Sequence, residues 1–72
     1  MTKQQFKQNL MEALEFNDCE IEEKTLDNLI ELNYDSEFNN LSEWSWLDFA
    51  SFAIDIKCDG LSRACRLNDL KL

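Results

Sequence analysis

The sequence predicts a mostly α-helical protein: a small bundle of three or four helices, formed by one acidic domain over residues 1–72. Three observations predict it. Proline is absent and glycine occurs once, which suits short helix connections. Apolar residues recur at three- and four-residue spacing along much of the chain. One block, Leu32 to Ile56, holds both tryptophans, the only tyrosine and three of the five phenylalanines. A chain this short buries only about 60% of the surface it exposes when unfolded. Its core must therefore be built around such a block. The alternative is an α+β fold, with helices followed by a C-terminal β-hairpin around Asp59-Gly60.

The first helix is the easiest to place. Thr2-Lys3-Gln4-Gln5 reads as a capping box, in which the Thr2 hydroxyl accepts from the N–H of residue 5 and Gln5 reaches back. Phe6, Leu10, Ala13 and Leu14 follow at helical spacing, so a helix is expected from Lys3 to Glu15, ended by Asn17 and Asp18. Between Cys19 and Asn33 the apolar set is Ile21, Leu26, Leu29, Ile30 and Leu32. Thr25 can cap a short helix from Leu26 to Leu32, or Glu20 can open a longer one.

Asn33-Tyr34-Asp35-Ser36 is a turn, in which Asp35 or Ser36 can cap the next helix. Asn39-Asn40 interrupts, so that helix starts at Ser36 or restarts at Ser42. From Leu41 the apolar residues become dense. Leu47, Ala50, Ile54 and Cys58 share one side, and Trp46, Phe49 and Ala53 share another. A helix apolar on so much of its circumference is expected at the centre of the bundle.

Residues 52–60 admit two readings. As a helix, they end at Gly60 with Lys57 in the last turn. As a strand, Phe52, Ile54, Ile56 and Cys58 alternate with Ala53, Asp55, Lys57 and Asp59, and Asp59-Gly60 makes a hairpin turn. The helix is preferred, because the strand would leave a lone two-stranded hairpin leaning on helices. The tail fits a final helix with Leu61, Ala64, Cys65 and Asn68 on one side.

The net charge of −8 is polarised along the chain. From Gln8 to Asp55 there are thirteen acidic residues and one basic residue, Lys24. Glu20, Glu23, Asp27 and Glu31 fall at i, i+3, i+7 and i+11, one face of a helix, with carboxylates roughly 5–6 Å apart. Asp35, Glu37, Glu43 and Asp48 extend the acidic segment. Like charges this dense destabilise a compact state. They provide solubility, and they also suit attraction to a basic surface. Those eight acids are the candidate partner-binding residues.

Other functions are opposed by what is present and absent. Histidine is missing, and nothing Gly-rich or basic is placed to hold a phosphate. Enzyme activity is therefore not expected. Cys65, between Arg63 and Arg66, is the only cysteine flanked by cations on both sides in sequence. Three cysteines without a C-x-x-C pair argue against a disulfide framework and against a metal site, and suit reduced thiols in the cytoplasm. No export signal or membrane-length apolar run is visible. Direct nucleic-acid binding is opposed by the charge.

Residues Phe6 to Ser36 carry a further pattern. Phe6, Leu10, Leu14 and Phe16 would be a first helix, Ile21 and Thr25 loop anchors, and Leu32-Asn33-Tyr34-Asp35-Ser36 a motif at the start of a second helix. In this the chain resembles the first half of an acyl carrier protein. The resemblance implies a helical bundle with phosphopantetheine on Ser36 and enzymes with basic surfaces as partners. Asn33 stands where that family has glycine, and Glu37 where it has an aliphatic residue.

Two functions follow as expectations. The first is a non-enzymatic binding module whose carboxylates engage a basic surface on a partner protein, of the kind that itself serves as a nucleic-acid site. It would act as an inhibitor or nucleic-acid mimic of the kind phages direct against host nucleases or defence complexes. The second is a carrier domain with its arm on Ser36. A homodimer through Trp44 or Trp46 is a further arrangement the sequence allows.

Overall fold

The computed structural model describes residues 1–36 and 39–72 and, among them, contains four α-helices and no strand. Helix α1 spans Lys3–Phe16, α2 Glu23–Asn33, α3 Trp46–Asp59 and α4 Leu61–Leu67, with a short 3-10 helix at Leu41–Glu43 before α3. The helical bundle is as expected, and the hairpin is excluded.

Helix α1 starts on its capping box. The Gln5 N–H donates to the Thr2 hydroxyl at 3.1 Å, and the Thr2 N–H donates to Gln5 Oε1 at 2.8 Å. Helix α2 begins at Glu23, between the two expected starts. Its first turn is closed by backbone alone, with the Thr25 N–H donating to the Glu22 carbonyl at 3.0 Å.

Helix α3 begins at Trp46, later than either start expected for it. Asn40 is left-handed (φ 46°, ψ 42°), which breaks the chain direction just before Ser42. The cap is Ser45 instead: the Asp48 carboxylate accepts from the Ser45 N–H at 2.9 Å and from its hydroxyl at 3.2 Å. Gly60 ends α3 and opens α4. Its φ of +87° and ψ of 162° lie in a region essentially reserved for glycine. The helix-to-helix corner depends on this residue having no Cβ.

Phe6 is the aromatic hub. Its ring lies 4.9 Å from Phe49, 5.3 Å from Trp44 and 6.1 Å from Tyr34, centroid to centroid. These separations suit tilted and edge-on aromatic contacts. Helix α3 packs against α1 and α4, and α2 packs against α1. The buried side of α3 is Phe49, Phe52, Ala53 and Ile56. The expectation that α3 is enclosed all round is therefore only half right. Leu47 is 78% exposed, and Ile54 and Cys58 lie open on the same stripe.

Two helix ends repeat one device. After α1, the Asp18 N–H donates to the Glu15 carbonyl at 3.0 Å and the Cys19 N–H to the Leu14 carbonyl at 2.9 Å. After α4, the Asp69 N–H donates to the Arg66 carbonyl and the Leu70 N–H to the Cys65 carbonyl, at 3.3 and 2.8 Å. This is a Schellman closure with aspartate in the left-handed position usually held by glycine (φ 53° and 57°).

The buried polar residue Asn33, 1% exposed, holds the C-terminal segment. Its side-chain NH2 donates to the carbonyls of Leu29 and Lys71, each at 2.8 Å. Its oxygen accepts from the Lys71 N–H at 2.7 Å. The amide thus pairs with Lys71 as a strand neighbour would, through both a donor and an acceptor. At the other terminus, the Tyr34 hydroxyl donates to the Met1 carbonyl.

Two outcomes follow. Asn33→Ala should lower stability by about 1–3 kcal/mol in urea titration, because buried partners lose their bonds. It should also speed hydrogen exchange at the Lys71 amide, and unchanged exchange there would refute the clasp. Asp69→Gly should raise stability by about 1 kcal/mol or less, since the left-handed penalty goes while unfolded-state entropy increases. A lower midpoint would show that the aspartate side chain itself supports the turn.

Candidate partner-binding surface

Helix α2 turns its acidic edge toward α1. Lys7 Nζ lies 2.7 Å from Glu23 and 2.8 Å from Asp27, and Lys3 Nζ lies 3.1 Å from Glu31 and 3.5 Å from Asp35. Each lysine sits between two carboxylates. The geometry follows from matching periods. Lys3 and Lys7 are four apart on α1, while Glu23, Asp27 and Glu31 are four apart on α2, so both rows project along single helix edges.

The sharing is unequal. The Lys7 side chain is only 17% exposed, while those of Glu23 and Asp27 are 66% and 54% exposed. Lys7 is tucked under while its carboxylates face outward; Lys3 is more open, at 39%. Both lysines are held above the ordinary lysine range. For Lys7 the largest cause is its hydrogen bond to Asp27, followed by that to Glu23; for Lys3 it is the hydrogen bond to Glu31. Desolvation acts in the opposite direction on each.

The other candidate acids divide. Glu20 lies in the connector before α2, not on the helix, so the four-member face reduces to Glu23, Asp27 and Glu31, extended by Asp35. Asp48 is engaged in the capping box of α3, accepting from the Ser45 N–H. Glu43 is exposed at the end of the 3-10 helix. Among the described residues, neither Glu20 nor Glu43 has an ion-pair partner. Glu37 lies outside the described residues. The sequence reading missed the lysine pairing, although the matching four-residue periods carried the signal.

Cys65 does not have the setting of a nucleophile. It is 1% exposed in the core, and burial pushes its thiol pKa up, away from thiolate. Cys58 is exposed and Cys19 half-buried. Among the described residues, no three acidic or sulfur ligands converge for a metal, and no helix is long and apolar enough to cross a membrane.

Ser36 follows the C-terminal end of α2, and its N–H donates to the Asn33 carbonyl at 3.1 Å; residues 37–38, on which a helix opened by Ser36 would depend, lie outside the described residues. It lines a cleft of about 830 Å³ with Glu31, Asp35, Asp69 and Lys71. A phosphodiester is favoured by a helix N-terminus and disfavoured by a helix C-terminus among carboxylates. No protein-family profile, characterised protein or solved structure matches this chain.

The lysine pairs make a pH prediction. A raised lysine pKa means that stabilisation is complete below the unfolded value near about 10.4 and is lost as pH rises through the higher folded value. Wild type should therefore melt above Lys7→Met at pH of about 8, and the gap should close toward about pH 12. Thermal melts at both pH values check this. A gap that persists at high pH would assign the effect to packing of the lysine stem.

Proposed function

We propose that the protein is a small, non-enzymatic acidic binding module that docks a carboxylate-rich face on a basic surface of a partner protein. Its setting on this reading is the cytoplasm. Its effect is inhibition by imitating a row of phosphates, as small acidic inhibitors of phage type do to nucleases and defence complexes. Where the partner's basic surface is a nucleic-acid site, occupancy by one excludes the other.

One observation carries the reading. The row Glu23, Asp27, Glu31 and Asp35 already holds two ammonium groups at 2.7–3.5 Å, while its carboxylates stay 54–80% exposed. A row that binds cations from within the molecule has outward-facing oxygens left for cations from outside. The one-turn spacing of roughly 5–6 Å is within a factor of two of the phosphate spacing along a nucleic-acid strand. Only two lysines oppose four carboxylates there, so the row keeps a net negative charge.

The reading requires salt dependence. Immobilised protein should retain basic proteins from lysate at about 0.1 M ionic strength and release them at about 1 M, where screening shortens from roughly 10 to 3 Å. Glu31→Gln combined with Asp35→Asn should weaken that retention, because neither acid caps a helix or enters the core. Retention indifferent to salt, or no enrichment of basic proteins, would count against the proposal.

A further inference from the structure

Where the C-terminal end of α1 meets the connector into α2, the surface opens into a cleft of about 700 Å³. Met11 and Ile21 line it, above the buried Leu14 and Leu26. Glu15, Asp18, Glu20 and Glu23 supply its charge, and no lysine or arginine lines it. Of these four acids, only Glu23 has an ion-pair partner among the described residues.

The backbone adds to the field. The last turn of α1 contains no basic residue, so the negative end of its helix dipole points into an already acidic corner. Apolar lining would not by itself specify an occupant, and neither would the acids. Together they specify one: an apolar side chain to cover Met11 and Ile21, with cations on either side of it. Met11, 40% exposed, is a flexible and polarisable lining residue, able to adapt to an anchor's shape. The cleft volume is within the range of sites that take a few side chains.

Resting on the reading of the protein as an acidic binding module, we propose that this cleft is its docking site, and that the occupant is a cationic amphipathic helix of the partner. An aliphatic anchor enters between Met11 and Ile21, and flanking lysines or arginines meet Glu15, Asp18 and Glu20. The lysine-threaded row on α2 then supplies long-range attraction, and the cleft supplies the contact that distinguishes one basic partner from another. Helix-in-groove recognition of this kind depends on anchors spaced by one helical turn.

Two synthetic helical peptides test it: one of lysine and alanine with two leucines four residues apart, and a second with those leucines replaced by alanine. The leucine peptide should bind at least tenfold more tightly in titrations followed by amide NMR, with shifts centred on Met11, Cys19 and Ile21. Met11→Gln should reduce its affinity to that of the alanine peptide with the melting temperature little changed, whereas Leu47→Gln on α3, which does not line the cleft, should leave it unchanged. Equal affinities, with shifts spread along Glu23, Asp27 and Glu31, would overturn the cleft while leaving the acidic module intact. No binding of either peptide at low salt would overturn both.

Discussion

Two lysines from α1 offset the acidic edge along which α2 lies against it. Its carboxylates recur at every turn on the edge facing α1, and a row of that kind repels itself. Lys7 between Glu23 and Asp27, and Lys3 between Glu31 and Asp35, convert that edge into a seam. Leu26, Leu29 and Ile30 then bury themselves behind it. Exposed ion pairs contribute little individually. Their larger effect is on register: a slip of one turn would leave an end carboxylate without its cation.

The same scarcity of cations shows at the helix ends. Neither α1 nor α2 has a basic residue in its last turn to face the negative end of its dipole. Asparagine amides substitute. Asn17, Asn33 and Asn68 each donate from the side chain to the carbonyl four residues earlier, at 2.8 Å in all three cases. A neutral amide satisfies a terminal carbonyl as a hydrogen-bond donor without cancelling charge. The fold thus closes its helices while keeping its outer field negative, and at the end of α1 that field borders an apolar cleft.

What was legible in the sequence was local. The Thr2–Gln5 box, the stripe from Phe6 to Leu14 and the stop at Asn17-Asp18 are short-range signals, and each lies where its residues put it. Gly60 fitted a hairpin and a helix end equally on local grounds, and the packing of α4 against α3 decides for the helix. Ser45 was overlooked as a cap because its partner is Asp48 rather than the usual glutamate or glutamine. The site was less legible because it depends on pairs of helices. Glu23, Asp27 and Glu31 look like a solvated face until α1 brings Lys3 and Lys7 against them. Ile21 reads as part of the apolar set of the second helix until the connector leaves it at a rim beside Met11.

Ionic strength then acts in opposite directions on the fold and on its proposed partner. Salt screens the lysine pairs, which loosens the seam, but it also screens repulsion among fifteen acidic residues set against seven basic ones. Repulsion is the more numerous interaction, so salt is expected to steady the isolated domain. On the proposed reading, a docked cationic helix would do the same work at one place, neutralising Glu15, Asp18 and Glu20 and covering apolar surface that water otherwise meets. Any ligand selective for the folded state stabilises that state by mass action. Salt and the helix thus compete for the same carboxylates, and only the helix also fills the cleft between Met11 and Ile21.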